Sequence, residues 1–185
     1  LRKFDFFTKD QYRLETFSSS SSDDVCTFTD FAPRIFYTLR RKWGISTKDY
    51  VNSVGYDSVY RKLFLGSLEA FSGAPTKAKG GGFFYFSADE KYLIKSLDEE
   101  EFQTFFMDTN AEGRTFLQDY FERIVSAIEE KQPSLLCQFC GLHRVEHSED
   151  TDTESYLVVM RNVFVEDRKD KALKYKVPSR IFDLK

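Results

Sequence analysis

The sequence has little of what would assign it at once to a class of protein. Its 185 residues include three cysteines, four prolines and one tryptophan. Three cysteines do not make a disulfide framework, and an odd count fits a reducing compartment. The net charge of −3 gives no general attraction to nucleic acid or to anionic lipid. We therefore expect no nucleic-acid partner.

Long apolar runs are missing as well. The longest, residues 83–86 and 156–160, fall far short of the ~20 residues that a membrane-spanning helix needs, and the sequence shows no signal-peptide pattern. Aromatic residues, in contrast, are abundant, with 20 Phe and 10 Tyr. These features predict one soluble, intracellular domain whose core is rich in aromatic rings.

A Cys-x-x-Cys motif raises the question of a metal site. Cys137 and Cys140 are followed by His143 and His147, the residue types of a zinc finger. Zinc fingers separate the cysteine pair from the histidine pair by about a dozen residues, a far longer spacing than the one found here. Residues 135–142 instead suggest a buried strand, in which cysteines act as small apolar side chains. We therefore expect no metal site.

A serine tract divides the chain. Residues 18–22 are all serine and two aspartates follow, which is typical of a flexible linker. The expected organisation is an N-terminal segment, residues 1–27, and a main domain, residues 28–185. Residues 166–185 hold seven basic and four acidic side chains. This basic end is either a solvated segment or a surface that meets phosphate groups.

Local patterns predict the helices and strands of the main domain. A helix over residues 30–43 would have Asp30 as its N-cap, Pro33 in its first turn and Gly44 at its end. The strongest helix covers residues 115–131, where apolar side chains recur at helical spacing. The other predicted elements are helices near residues 46–54 and 59–65, a mobile connector at 72–79, a hairpin of strands 83–87 and 91–97, and strands 135–146 and 156–165. This order predicts an α+β fold, an antiparallel sheet with helices packed on one side.

The most informative segment is the glycine run before the hairpin. Gly80, Gly81 and Gly82 lead into the first strand, and the second strand returns to Lys95 among apolar residues. Glycines let the backbone approach an anion and direct its N–H groups towards it. In kinases a strand lysine then contacts the phosphates. A glycine run before a hairpin is also compatible with a simple turn, so both interpretations stay open.

Ordered segments of the chain resemble the phosphatidylinositol phosphate kinase family, of the phosphatidylinositol 4-phosphate 5-kinase type. The segments are DFAP at residues 30–33, GI and DY between residues 44 and 50, GGGFFYFS at 80–87, IK at 94–95, LLCQFCGLHRV at 135–145, VVMRNVF at 158–164 and FDLK at 182–185. They follow the family's order over about residues 28–185. The resemblance implies that this part of the chain is the N-terminal, ATP-binding lobe of a lipid kinase domain.

The resemblance also implies roles for individual residues. The implied ATP-binding residues are Gly80, Gly81, Gly82, Lys95, Met160 and Asn162. The glycines would cover the phosphates, the lysine would pair with them, and residues 159–163 would line the adenine site through backbone groups. A carboxylate must hold the lysine in place, and Glu112 and Glu101 are both candidates. Lys185 would lie near the phosphoinositide headgroup.

The activity implied is transfer of the γ-phosphoryl group of ATP to the inositol ring of a phosphatidylinositol monophosphate. The expected substrate is phosphatidylinositol 4-phosphate, and the enzyme would be cytoplasmic and peripherally membrane-associated. Family members place their catalytic and Mg²⁺-binding aspartates after the position of Lys185. We therefore expect neither a catalytic residue nor a metal ligand within residues 1–185, and no turnover by these residues alone.

Two non-catalytic alternatives come from the same residues. The family usually has serines within its glycine loop, and their replacement here, with the undecided glutamate, suggests a pseudokinase. An aromatic N-terminal segment and the helix over residues 30–43 suggest a homodimerising scaffold. In that case Phe31, Phe36 and Trp43 would lie at a dimer surface, whereas the simpler interpretation places these rings in the core.

Overall fold

The structure, a computed structural model, describes residues 2–16, 24–55, 84–147 and 155–163. Its elements in chain order are a 3-10 helix (Lys3–Phe6), β1 (Lys9–Thr16), β2 (Asp24–Phe31), α1 (Pro33–Lys42), α2 (Thr47–Val54), β3 (Phe84–Phe86), β4 (Tyr92–Leu97), α3 (Glu99–Phe102), a π-helix (Gln103–Met107), α4 (Phe116–Glu129), β5 (Phe139–His147) and β6 (Ser155–Arg161). The glycine run, the predicted helix at 59–65, the connector at 72–79 and Lys185 lie outside the described residues.

The strands form one six-stranded antiparallel sheet in the order β1-β2-β5-β6-β4-β3. Within it β4 lies between β3 and β6, so that Lys95 is opposite Phe84 on one side and Val158 on the other. With the helices, this sheet confirms the predicted α+β class and the predicted hairpin of β3 and β4.

The two faces of the sheet carry separate cores, because successive side chains of a strand point to opposite faces. On one face, here called the α4 face, Leu142 and Val158 pack with residues of α1, α3 and α4. On the other, here called the α2 face, Leu157 and Val159 pack with residues of α2. Helices α1, α3 and α4 thus pack on one side of the sheet, as predicted, whereas α2 packs on the opposite side.

The start of α1 differs from the prediction. Asp30 belongs to β2, where it is opposite His143 of β5, and it does not cap the helix. The N-cap is Ala32, which has φ 44° and makes no side-chain capping hydrogen bond. Pro33 then occupies the first helical position, where its fixed φ suits the helix. The predicted cap was wrong because the sheet extends through Asp30. Gly44, with φ 74°, follows the helix as predicted.

The two other predicted helices that fall on described residues are confirmed. In α2, the hydroxyl of Ser46 accepts a hydrogen bond from the backbone N–H of Asp49. In α4, Thr115 and Gln118 form a capping box, in which each side chain bonds the backbone of the other residue. The helix ends at Glu129, two residues before the predicted end.

The last two strands are shorter than predicted. β5 begins at Phe139 rather than at residue 135, and Leu135 and Leu136 are 104% and 49% exposed. β6 ends at Arg161, and Val163 is 74% exposed. The buried strand expected from residue 135 was wrong in its first part, because the described strand pairing with β6 starts at Phe139 and the carbonyl of Gln138 just before it accepts from the N–H of Arg161.

The N-terminal segment is part of the sheet. β1 pairs with β2 along its whole length, from Lys9 opposite Phe31 to Thr16 opposite Asp24. The boundary expected at residue 27 therefore falls within β2. The ring of Phe6 meets that of Phe121 edge to face at 5.5 Å, which ties this segment to α4 as well.

The aromatic side chains considered for a dimer surface belong to the core. Phe31 and Phe36 are 5% and 0% exposed. Trp43 is partly buried and packs against both cores. These three rings therefore stabilise the domain itself.

Candidate functional site

A cleft of about 590 Å³ opens on the α4 face, between the β3–β4 hairpin and α3. Its lining residues are Phe84, Lys95, Leu97, Asp98, Glu100, Glu101, Thr104, Phe105, Phe116, Cys137, Phe139, Val158 and Met160. Small-molecule sites in proteins typically have volumes of about 300–1,000 Å³ and mostly apolar walls with a few polar groups. The cleft has both properties.

Lys95 reaches the cleft because of its place in β4. Tyr92 and Ile94 point to the α2 face and are 4% and 1% exposed. The alternation of the strand then directs Lys95 and Leu97 to the α4 face, where both line the cleft. The side chain of Lys95 is 22% exposed, and its ammonium pairs with the carboxylate of Glu101. The strand thus presents a partly enclosed cation to any ligand in the cleft.

A capping box fixes the carboxylate of this pair. The side chain of Asp98 accepts a hydrogen bond of 2.7 Å from the N–H of Glu101. Oε2 of Glu101 accepts one of 3.3 Å from the N–H of Asp98 in return. Oε1 of the same carboxylate contacts the ammonium of Lys95. Glu101 therefore binds the helix start and the lysine at once.

Glu112, the other candidate carboxylate, lies elsewhere. It is exposed in the turn before α4, where its N–H donates to Oδ1 of Asn110 at 2.9 Å. Beside it, Arg114 pairs with Asp119 and with Glu122, and Oε2 of Glu122 lies 2.7 Å from the guanidinium. These hydrogen bonds raise the pKa of Arg114. Between the two candidates, the structure places Glu101 in contact with Lys95.

The two residues proposed for the adenine site have different positions. Met160, in β6, lines the cleft opposite Phe139. Asn162 follows β6 and binds the β3–β4 turn instead: its backbone N–H donates to the carbonyl of Lys91, and its side-chain amide donates to that of Glu90, both at 2.8 Å. Asn162 therefore holds the hairpin against the end of β6.

Asp89 anchors the same turn from the other side. Its carboxylate accepts hydrogen bonds from the hydroxyls of Ser53 in α2 and Ser87 and lies 3.1 Å from the ammonium of Lys91. Partial burial by itself would raise the pKa of Asp89, but these hydrogen bonds outweigh it and lower the pKa to about 2. The hairpin that carries Lys95 is thus joined to α2 through an ionised carboxylate.

Aromatic rings form the wall opposite the hairpin. Phe105 meets Phe116 at 5.0 Å and Phe139 at 5.1 Å between ring centroids. Behind them, the hydroxyl of Tyr120 donates to the carbonyl of Cys137 at 2.6 Å and accepts from the N–H of Phe139 at 3.0 Å. Burial raises the pKa of Tyr120, so it stays a neutral donor. This tyrosine fixes the start of β5 beside the cleft.

The two cysteines of the Cys-x-x-Cys motif lie in different environments. Cys137 is exposed and lines the cleft. Cys140 is 0% exposed in the core of the α2 face, and burial raises the pKa of its thiol to about 12. In the described part of the chain, no group of three or more His, Cys, Asp or Glu side chains is placed to hold a metal ion. The motif therefore does not gather its thiols at one site.

Sequence reasoning named Lys95, Glu101 and Met160, and all three line the cleft. Gly80, Gly81, Gly82 and Lys185 lie outside the described residues. The aromatic wall was not predicted. Asp98 was not predicted either, although the Asp-x-x-Glu spacing of a capping box is visible in the sequence.

Among the residues that the structure describes, no helix has the length and apolar character needed to cross a bilayer.

Comparison with known proteins gives relatives over most of the chain. A phosphatidylinositol 4-phosphate 5-kinase of Plasmodium falciparum is 31% identical over 163 residues, which are 86% of this chain and 9% of that protein. One of Schizosaccharomyces pombe is 31% identical over 137 residues, or 74% of this chain and 15% of that protein. A phosphatidylinositol 5-phosphate 4-kinase type-2 alpha of Gallus gallus is 27% identical over 161 residues, or 87% of this chain and 33% of that protein.

The chain thus spans between about a tenth and a third of the length of these relatives. A family model described as phosphatidylinositol-4-phosphate 5-kinase matches residues 65–185, which is more than half of the chain and includes the hairpin, the cleft and β6. The chain therefore belongs to the phosphatidylinositol-4-phosphate 5-kinase family.

Proposed function

We propose that the cleft on the α4 face binds ATP. The observation that carries this proposal is the pair of Lys95 and Glu101 at the edge of an apolar cleft. Lys95 lies in the second strand of the hairpin that follows the glycine run, and Glu101 lies in the helix directly after that strand. Kinases use such a lysine to contact the phosphates of ATP and a carboxylate to hold it. Gly80, Gly81 and Gly82 would then cover the phosphates, and Met160 would lie at the adenine end.

The protein of which this chain is part would transfer the γ-phosphoryl group of ATP to the inositol ring of a phosphatidylinositol monophosphate. Phosphatidylinositol 4-phosphate is the proposed substrate, since the family model carries that description. Relatives described as phosphatidylinositol 5-phosphate 4-kinases make the 5-phosphate the competing substrate. Lys185 would lie near the headgroup. The protein would work in the cytoplasm, peripherally bound to a membrane.

Phosphoryl transfer depends on positioning and on charge neutralisation by Mg²⁺. Members of the family place their Mg²⁺-binding and catalytic aspartates after the position of Lys185. The part of residues 1–185 in the reaction would be to bind ATP and to orient its phosphates. We accordingly expect residues 1–185, prepared as a separate polypeptide, to give no turnover.

The test uses the protein at its natural length, with Mg-ATP and vesicles that carry one phosphatidylinositol monophosphate at a time. We expect a bisphosphate product from the 4-phosphate, and a loss of about a hundredfold or more in Lys95→Ala. Lys91→Ala is the matched control, because Lys91 lies in the same hairpin and pairs with Asp89 outside the cleft. Product from the 5-phosphate alone would overturn the proposed substrate, and no product from folded protein would overturn the kinase proposal.

The competing function is a pseudokinase or a homodimerising scaffold. Folded protein without turnover would favour it. A mass measurement over a range of protein concentrations then tests the dimer, since a monomer throughout the high micromolar range would exclude it.

A further inference from the structure

The carboxylate that holds Lys95 is built into the first turn of a very short helix. α3 has four residues and begins directly after β4. Glu101 is the third residue of this helix, the position at which a capping-box side chain reaches back to the N-cap. The pair therefore joins a strand to the helix that follows it without a loop.

The two oxygens of Glu101 have different partners. Oε1 contacts the ammonium of Lys95, and Oε2 accepts from the N–H of Asp98. The other bond of the capping box, from the N–H of Glu101 to Oδ1 of Asp98, is the shorter of its two bonds at 2.7 Å. Without the Asp98 acceptor, the backbone N–H of Glu101 would lose its capping partner, and the first turn that carries the Glu101 side chain would lose its N-cap.

The other end of α3 is fixed by aromatic packing. Phe102, which follows Glu101, is 5% exposed and stacks on Tyr156 at 4.0 Å between ring centroids. Phe106, in the π-helix, is 4% exposed and lies 5.1 Å from Phe31. The core therefore sets the distance of α3 from the sheet. The orientation of the exposed first turn depends instead on its N-cap, Asp98.

We propose that Asp98 is a positioning residue for Lys95, acting through the carboxylate of Glu101. This inference rests on the proposed ATP site and deepens it. Asp98 holds the first turn of α3 so that Glu101 points at the ammonium, and the ion pair exists before nucleotide arrives. A pair formed by a strand and the turn directly after it does not depend on the approach of a separate helix.

Three variants at natural length separate the roles of these side chains. Asp98→Ala removes the cap, whereas Asp98→Asn keeps an N-cap acceptor and removes the charge. Glu101→Gln keeps a residue that completes the box and removes the charge of the pair. Ser46→Ala is the matched control, because Ser46 is an exposed N-cap of α2, on the other face of the sheet.

The first readout is the rate at which an amine-reactive acylating reagent modifies Lys95, measured on its peptide by mass spectrometry without ATP. Loss of an N-cap of this kind shifts a local equilibrium by about fivefold. We expect Asp98→Ala to raise the rate by about that factor. Asp98→Asn and Ser46→Ala should leave the rate within about twofold, and Glu101→Gln should raise it as Asp98→Ala does.

The second readout is turnover, in which Asp98→Ala should lower kcat by about fivefold and Asp98→Asn should retain it. Equal losses in both Asp98 variants would overturn the inference, because the charge of Asp98 itself would then act on the ligand. An acylation rate unchanged in Asp98→Ala would overturn it as well. If no phosphoinositide is turned over but the acylation pattern holds, the kinase proposal fails and the positioning role of Asp98 stands.

Discussion

On the α2 face of the sheet, the buried side chains of His143 and Tyr50 contact other polar groups, whereas on the α4 face a lysine and a glutamate stand at an open cleft. Nδ1 of His143 lies 3.2 Å from Oδ1 of Asp30, and its Nε2 lies 3.3 Å from the hydroxyl of Tyr50. The guanidinium of Arg40 lies 4.2 Å from the ring centroid of Tyr50 and donates to the carbonyl of Cys140.

The polar side chains of the two faces differ in how accessible they are to a ligand. His143 is 4% exposed and its ring is packed by Phe28 at 5.0 Å, so its imidazole is enclosed by the protein. Lys95 and Glu101 are 22% and 44% exposed beside about 590 Å³ of cleft. Polar groups that contact one another within a core help to specify the fold, and polar groups at a cleft remain available to a ligand.

The largest effect on stability is expected from Gly141→Ala, which would disrupt the packing around His143 and Tyr50 on the α2 face. A Cβ atom at this position would lie 2.5 Å from Nε2 of His143 and 2.5 Å from the hydroxyl of Tyr50. Overpacking of a core typically costs about 1–3 kcal/mol, and two simultaneous clashes favour the upper end. Urea unfolding measures the loss. Tyr50→Phe in the same chain should recover part of it, and a neutral Gly141→Ala would mean that the face is not tightly packed.

A smaller effect is expected from Asp89→Asn, which removes the charge that joins the β3–β4 hairpin to α2. The pKa of Asp89 is lowered from 3.8 to about 2, so its ionised form stabilises the fold above pH 3.8, and this stabilisation is lost as the pH falls towards about 2. Because the side chain is about a third exposed, solvent screening reduces the expected effect to about 1 kcal/mol at neutral pH.

Urea unfolding of Asp89→Asn and the wild type over this range of pH tests the linkage. The difference should shrink as the pH falls from about 4 towards 2. Asp108→Asn, at an exposed carboxylate, is the control. A difference that stays constant with pH would show that the charge of Asp89 is not what anchors the turn.

The smallest effect is expected at Cys137, on the open face. Cys137→Ser should change the free energy of unfolding by less than about 0.5 kcal/mol, since the side chain is exposed. In the wild type, a maleimide should modify Cys137 rapidly and spare Cys140, whose thiol is buried and has a pKa of about 12. Peptide mass spectrometry reads both sites. Equal modification of the two thiols in folded protein would contradict the assigned faces.

Local patterns were enough to predict much of the fold. The β3–β4 hairpin and α4 can each be recognised from a short stretch of sequence, because their apolar side chains recur at the spacing of a strand or a helix. Both elements lie where they were predicted. β1 was missed because its sequence, KDQYRLET, is polar and its stability comes from pairing with β2. The strand predicted from residue 135 began too early, because two leucines indicated burial that the fold does not supply.

The candidate site was predictable in its charged residues and not in its geometry. Lys95 follows from its place after the glycine run, but the sequence left Glu101 and Glu112 equally open. Their distinction depends on α3, which has only four residues and is too short for periodicity to reveal. The aromatic wall depends on the contact between α4 and β5, which are distant in the sequence, so no local sequence pattern predicts it.

The most direct test of the central claim is a calorimetric titration of the natural-length protein with Mg-ATP, comparing wild type, Lys95→Ala and Lys91→Ala. Hydrogen bonds to charged groups are worth about 1.5–3 kcal/mol, so we predict that Lys95→Ala weakens ATP binding by about tenfold or more. Lys91→Ala should bind as the wild type does. Equal ATP affinity in wild type and Lys95→Ala, with both proteins folded, would contradict the assignment of the cleft as the ATP site.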